Sequence, residues 1–531
     1  MNTKNHQCWR LIVVAIVPIV LLPIFLANDS PLTRWLYVFS IMAVFWITEA
    51  IPFAITSLMP IGLLPMLGIT STADVCKFYG HETVFTFLAS LIIASSEEAF
   101  SLRKRIALKI LANVKGYHRR LHFVMMAATM FISMWMLNFY VVAIISEVCM
   151  AILEQFEVQG ATELYKAKPI KEETGTLSRP SSITKCYLLG ISYAATLGGC
   201  ASLPGTPTNL VFKGIFETYF GSERKIYFLI FFLYSGPIVL LNTFLTWLWL
   251  QIVFMGLLRP KSDDAVALLV TEEVAIAIKE KVAQKYIEMG AFNAKEIRIA
   301  VIFVMFNLVL ISRPYWAVGN VEIENATPMI LFVILIFILP SRWNCCKCCN
   351  KSSDDNHQDT PFLEWTCVRR KVPWGLIFLL GAGVALASSL KELLINDKIH
   401  ELIGQNIQLS PLAISFIVCV ICQIFTEFLS NTAAANIVMP ILAAFCMHKK
   451  FEGHAIDVMF PAALSLSMAF HSSIGTPGNA YVADLINIPA KELFYCGIGP
   501  TIITLLTCWS TFPTYGNYIY EQIKMPNGTA T

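Results

Sequence analysis

Two apolar segments of this 531-residue chain are interrupted by polar residues at matched places, and the match repeats at one offset. Ser430-Asn431-Thr432 divides the apolar run from Pro411 to Cys446, and Asn138 sits inside the run from Leu121 to Leu153, 293 residues earlier (431 − 138). The same shift carries Ala94-Ser95-Ser96 onto Ala387-Ser388-Ser389, so two separate elements share one internal register. In hydrocarbon every backbone polar group must find a partner, so a polar break at membrane depth survives only where it lines a cavity or is buried in protein. Paired breaks in repeated halves are the sequence pointer to a transporter's binding site.

With 56% hydrophobic and 14% charged residues, against roughly 25% charged in soluble domains, the chain carries more apolar surface than one globular core hides. It reads as an all-α polytopic membrane protein. Stretches of about 18 apolar residues span a bilayer, and they occur near 11–28, 35–69 (long enough for two), 121–155, 185–213, 226–258, 411–448, 456–486 and 494–515, with shorter ones near 297–312 and 328–340. Segments 84–99 and 374–390 are apolar but rich in Ala, Ser and Gly, and are expected to form re-entrant hairpins. The segment after Met1–Arg10 lacks a small-residue cleavage site and reads as an uncleaved first helix rather than a signal peptide.

A net charge of +3 gives no reason to expect a nucleic-acid partner. Basic residues gather at Lys166, Lys168 and Lys171 and between Arg259 and Arg298, which places both loops on the cytoplasmic side. An internal N-terminus and an external tail require an odd number of crossings. The segments give about eleven, one leading helix plus two sets of five, so the second set enters from the opposite face and the repeats are inverted. The expected organisation is a tail and first helix over 1–33, a first repeat over 34–258, a cytoplasmic linker over 259–296 containing an amphipathic helix, a second repeat over 297–520 and an extracellular tail over 521–531. The plasma membrane is the expected location. Most of the 15 cysteines fall in apolar segments; Cys345, Cys346, Cys348 and Cys349 instead follow a helix end, where acylation is expected in preference to zinc. Of the sequons at Asn28, Asn325, Asn350 and Asn527, the last lies in the tail and is the expected glycosylation site.

Each half also holds a Gly-Thr-Pro loop, Ser202-Leu203-Pro204-Gly205-Thr206-Pro207-Thr208-Asn209 and Ser473-Ile474-Gly475-Thr476-Pro477-Gly478-Asn479. Gly and Pro stop a helix and free backbone carbonyls, while Thr and Asn add neutral oxygens, a set suited to Na+. A packing bend explains one such loop equally well; two, each following a polar break, favour a site. At the Ser-Asn-Thr break the chemistry is anion recognition, because the positive end of the downstream helix presents unpaired N–H groups beside neutral donors. Glu49, Glu97, Glu98 and Glu427 lie in or beside apolar runs, where a charge signals either function or a helix-end partner.

These motifs resemble the divalent anion/sodium symporter family, sodium-coupled carriers of sulfate and of di- and tricarboxylates. The likeness is carried by Trp46-Ile47-Thr48-Glu49-Ala50-Ile51-Pro52, Arg105-Ile106-Ala107-Leu108, Gly198-Gly199 leading into the first Gly-Thr-Pro loop, Ser430-Asn431-Thr432, Met439-Pro440 and Gly475-Thr476-Pro477-Gly478-Asn479-Ala480. It implies an inverted-repeat homodimer in which a transport domain moves against a scaffold domain. It implies that Asn138, Gly205, Thr206, Ser430, Asn431, Thr432, Gly475 and Thr476 contact a small anionic metabolite such as succinate or citrate. It further implies two Na+ sites, drawn from Ser133, Asn138 and Gly205 and from Thr426, Asn431 and Thr476.

The chain departs from the pattern at the first motif, which reads Leu137-Asn138-Phe139 and keeps only the asparagine. Leu429, Ser473, Gly478 and Ala89-Ser90 also replace the usual residues. Each buried donor lost costs on the order of 1 to 3 kcal/mol where it leaves a partner unsatisfied. The expectation is therefore a carrier, not an enzyme, moving a small organic anion with weakened or absent Na+ dependence, as in Indy-type carboxylate exchangers. A sulfate carrier and a transport-impaired receptor or partner subunit are the alternatives.

Overall fold

The computed structural model describes residues 3–519 apart from 27–29, 96, 168–177, 222–224, 313–316, 319–320, 340–362, 398–408, 449–450 and 517. The cysteine quartet, the sequons at Asn28, Asn350 and Asn527 and the tail lie outside the described residues, as do the side chains of Glu97 and Glu98. The described residues are mainly helical, with two short antiparallel ribbons among them, Tyr165–Ala167 with Ser178–Pro180 and Ala317–Val318 with Val321–Glu322.

The principal helices are α1 (Thr3–Val20), α2 (Pro31–Thr48), α3 (Glu82–Ala94), α4 (Glu97–Ala112), α5 (His118–Ser133), α6 (Asn138–Val158), α7 (Ser182–Gly199), α8 (Pro207–Phe220), α9 (Phe228–Phe254), α10 (Glu272–Glu288), α11 (Ala294–Ser312), α12 (Trp374–Asp397), α13 (Pro411–Thr426), α14 (Asn431–Cys446), α15 (Ala455–Ser465), α16 (Pro477–Leu485) and α17 (Ala490–Thr511). Among the described residues six segments are long and apolar enough to cross a bilayer: Trp9–Leu26, Pro31–Thr48, Asn138–Val158, Phe228–Phe254, Trp374–Leu393 and Ala490–Gly516. Shorter apolar helices accompany them, including α13, α14 and α15. Exposed apolar residues recur at helical spacing on the perimeter, at Leu240, Leu241 and Phe244 of α9, Val301, Val304 and Leu308 of α11, and Ile417, Ile421 and Ile424 of α13. Water would penalise such bands; lipid does not. The protein is a multi-pass membrane protein.

The hairpins expected at 84–99 and 374–390 are not formed there. Residues 374–397 are one continuous helix, α12, and α3 runs unbroken from Glu82 to Ala94 without packing along α4. Small residues in α12 serve close packing: a Cβ at Gly383 would stand 1.8 Å from Asn436 Oδ1, so α14 approaches α12 only because that side chain is absent. The helical hairpins lie instead at the motif breaks, α5 with α6 and α13 with α14.

Polar residues at the helix starts fix these turns. Ser410 accepts the Ala413 N–H ahead of α13, with Pro411 in the first turn, and Ser430 accepts the Ala433 N–H ahead of α14. The expected amphipathic linker helix is present as α10, which buries Ala275, Ile278 and Val282 on one face and packs against α4. One buried charge cluster joins α8, α3 and the helix Ala326–Ile338: Lys213 Nζ of α8 lies 2.9 Å from both Glu82 Oε2 of α3 and Glu217 Oε2 of α8, and Glu82 Oε1 accepts the Ala326 N–H.

Candidate substrate and ion site

The two hairpin tips share a core of matching hydrogen bonds. At the first, Ser133 Oγ lies 2.8 Å from both Asn138 Oδ1 and the Ala195 carbonyl. At the second, Thr426 Oγ1 lies 2.8 Å from Asn431 Oδ1 and 2.7 Å from the Leu466 carbonyl. Each tip is then clasped by the Gly-Thr-Pro loop of its own half. Ser202 Oγ donates to the Met134 carbonyl, and Ser472 Oγ donates to the Glu427 carbonyl. Asn209 Nδ2 donates to the carbonyls of Gly199 and Ser202, and Asn479 Nδ2 to those of Ala469 and Ser472. The offset of 293 residues between the breaks thus pairs Ser133 with Thr426, and an offset of 270 (475 − 205) between the loops pairs Asn209 with Asn479.

Close approach holds each unit shut. A Cβ at Gly199 would stand 2.4 Å from Asn138 Oδ1, and one at Gly205 would stand 2.5 Å from the Gly199 carbonyl and 3.0 Å from the Met134 carbonyl. Gly205 therefore leaves a cradle walled by carbonyl oxygens next to Ser133 and Asn138. At the counterpart, a Cβ on Gly475 would stand 2.5 Å from the Ala469 methyl, 2.9 Å from the Thr426 carbonyl and 3.5 Å from Ser472 Oγ. Hydroxyl, amide and carbonyl oxygens, with no thiolate or imidazole among them, are the ligands a small hard cation takes. The residues fit Na+ on that ground.

The units then interlock. α6, which starts at Asn138, packs on α16, and α14, which starts at Asn431, packs on α8. Ser192 Oγ donates to Asn479 Oδ1 at 2.7 Å, Tyr193 OH donates to the Phe470 carbonyl, and the Phe139 ring meets Tyr481 edge-on at 6.0 Å. Four helices begin at motif residues: α6 after Leu137, α8 after Thr206, α14 after Ser430 and α16 after Thr476. Helix N-termini leave N–H groups without intrahelical acceptors and carry partial positive charge. Among the described residues Asn138 Nδ2 and the Thr432 hydroxyl have no hydrogen-bond partner, whereas Asn431 Nδ2 is tied to the Ser467 carbonyl at 3.0 Å. No Lys or Arg stands in either tip or loop, so any charge on a bound anion would meet helix dipoles and neutral donors.

The residues expected to contact substrate and Na+ all fall in these two units. Sequence reasoning left two features unassigned. Glu427, 8% exposed, is the organiser of the second loop: its carboxylate accepts the backbone N–H groups of Phe470 (2.6 Å), His471 (3.1 Å) and Ser472 (3.0 Å). The first copy has Met134 at the equivalent place, so this anchor exists once. Ser192, in the apolar stretch of α7, bridges the halves and carried no motif signal. The loop carbonyls expected to be free are partly committed to Asn209 and Asn479.

Of the departures, Leu137 sits at the cap position of α6 and supplies no side-chain bond, where Ser430 caps α14. Gly478 is in tight packing, since a Cβ there would stand 3.1 Å from Ser192 Oγ and from Val142 Cγ2.

Residues 3–520 match the family described as the sodium:sulfate symporter transmembrane region. Over 541 residues the chain is 36% identical to the protein "I'm not dead yet" of Drosophila melanogaster, covering 98% of this chain and 90% of that protein. It is 29% identical to the Na(+)/dicarboxylate cotransporter 3 of Rattus norvegicus, covering 99% and 95%, and 28% identical to the Na(+)/citrate cotransporter of Rattus norvegicus, covering 97% and 96%. The match takes in both hairpin tips and both loops, and the chain belongs to the sodium:sulfate symporter family, the divalent anion/sodium symporters that its motifs resemble.

Proposed function

We propose that the protein is a secondary transporter of small di- and tricarboxylates such as succinate or citrate, working by alternating access. The observation that carries this reading is the pair of interlocked tip-and-loop units, each with a helix N-terminus and neutral donors on one side and an oxygen cradle on the other. One carboxylate is held by the N-terminus of α14 with Ser430 and Thr432, and a second by the N-terminus of α6 with Asn138. The cradles at Ser133, Asn138 and Gly205 and at Thr426, Asn431 and Gly475 hold Na+, which supplies positive charge next to the substrate. Thr206 and Thr476 complete the walls.

The erosion at Leu137 and Phe139 removes substrate donors from the first unit and leaves its cradle oxygens in place. Na+ therefore raises affinity without being obligatory, and exchange proceeds in its absence. The interlocked units move together as a transport domain against the remaining helices, in an elevator motion. The working form is a homodimer in the plasma membrane, with the N-terminus inside and the glycosylated tail outside.

Uptake of labelled citrate, succinate and sulfate into liposomes, with and without a Na+ gradient, tests the reading. Saturable carboxylate uptake that Na+ stimulates but does not gate is the expected result. Uptake of sulfate in preference to both carboxylates assigns a sulfate carrier, and no uptake of any anion leaves a receptor or partner subunit; either refutes the proposal.

A further inference from the structure

A cavity of about 310 Å3 lies between α3, α4, the tip of the first hairpin and α11. Its walls are apolar, formed by Ile93, Ile106, Trp135, Phe303 and Phe306. At its mouth stand Phe131, Val304 and Leu308, all exposed on the apolar perimeter, so the cavity opens toward hydrocarbon rather than water. One charge looks into it. The Arg103 guanidinium is 5% exposed, donates from Nη2 to the Ala94 carbonyl at 2.8 Å, and has a buried Nε with no acceptor. Among the described residues no Asp or Glu pairs with it. By contrast its neighbour Arg105 is neutralised by Glu296 at 3.2 Å and bonds the carbonyls of Met289 and Gly290.

A buried guanidinium with no counter-ion among the described residues is costly, and the cost is removed by an anion that brings an apolar body with it. The volume admits roughly ten groups the size of a methylene, enough for the carboxyl-proximal part of one long acyl chain, with the remainder leaving through the mouth into the bilayer. A carboxylate meets the planar guanidinium in its preferred geometry. We propose that this crevice binds a long-chain fatty acid entering from the bilayer, its carboxylate on Arg103 and its chain between α11 and the first hairpin.

The position gives the ligand a consequence. Trp135 and Met136, which line the crevice, belong to the tip that carries Asn138, and Pro204 belongs to the loop that clasps it. The Trp135 ring is already lodged among Phe228, Phe232 and Phe303. A bound chain extends that contact and pins the first unit to α11, so fatty acid regulates movement of the hairpin. The site does not depend on which anion is transported.

The test uses purified full-length protein in liposomes and a palmitic acid probe carrying a mid-chain diazirine and a terminal alkyne, beside the matching fatty alcohol. The expected result is labelling of peptides from 131–136 and 299–311, competed by palmitate, at least tenfold weaker with the alcohol and at least tenfold weaker in Arg103→Gln, with partial recovery in Arg103→Lys. Equal labelling by acid and alcohol in the unaltered protein overturns the proposal, whether or not the variants fold. So does labelling spread evenly over the perimeter, or labelling by a phosphatidic acid probe in preference to palmitate.

Discussion

Glu427→Gln is the substitution that most directly probes why the two units, so alike in geometry, are held together differently. The native carboxylate collects three backbone N–H groups at 2.6 to 3.1 Å, and two of its contacts, from His471 and Ser472, fall on Oε2. Glutamine keeps the shape and the Oε1 acceptor but places an NH2 opposite those N–H groups, donor against donor. Hydrogen bonds to a charged acceptor contribute about 1.5 to 3 kcal/mol each, and contributions within one cluster do not add fully. A net loss of about 2 to 3 kcal/mol from the ordered loop is the working figure. If the substrate binds only when residues 470–476 are ordered, apparent affinity falls by the fraction of molecules that remain competent. At 1.4 kcal/mol per tenfold, the ceiling is roughly 30- to 150-fold. Citrate and succinate binding by calorimetry in detergent, together with uptake in liposomes, gives the number. A variant with native affinity, uptake and Na+ response would show that the carboxylate is incidental to the loop, and the argument from Met134 against Glu427 would fail with it.

Asn431→Ala removes both the Oδ1 contact to Thr426 and the Nδ2 bond to Ser467, and carboxylate binding is expected to fall at least tenfold; native affinity in that variant places the site elsewhere. Leu137→Ser combined with Phe139→Thr restores donors to the first tip and should steepen the Na+ dependence of uptake, measured as the ratio of initial rates with Na+ and with choline. An unchanged ratio shows that these residues do not set coupling. Lys213→Met leaves Glu82 and Glu217 facing each other without their shared cation, a loss of about 3 to 5 kcal/mol by comparison with other broken buried pairs. Folded yield by size-exclusion chromatography should collapse, and return when Glu82→Gln and Glu217→Gln are added; native yield of the single variant contradicts the assignment.

Much of the site could be read from the sequence because duplication supplied its own internal control. One copy of Asn138 is an ordinary polar residue in an apolar run; its twin at Asn431, followed by loops of matching composition, made both significant, and the hydrogen bonds of Ser133 and Thr426 repeat accordingly. What escaped was whatever had no twin or no local signature. Glu427 has Met134 opposite it, so comparison of the copies concealed its role. Ser192 and Lys213 act on partners 287 and 131 residues away, and no spacing rule links them. The hairpins were misplaced for a different physical reason. Small residues in an apolar run lower the cost of a chain reversal and also allow two helices to touch, and composition cannot separate these uses. At Gly383 the second applies, because Asn436 occupies the space its side chain would take. Polar residues at a break, unlike small ones, must be satisfied at depth, and the neighbours that satisfy them form the candidate site. The two hairpins were therefore marked by Asn138 and Asn431, at the same breaks that mark the candidate site.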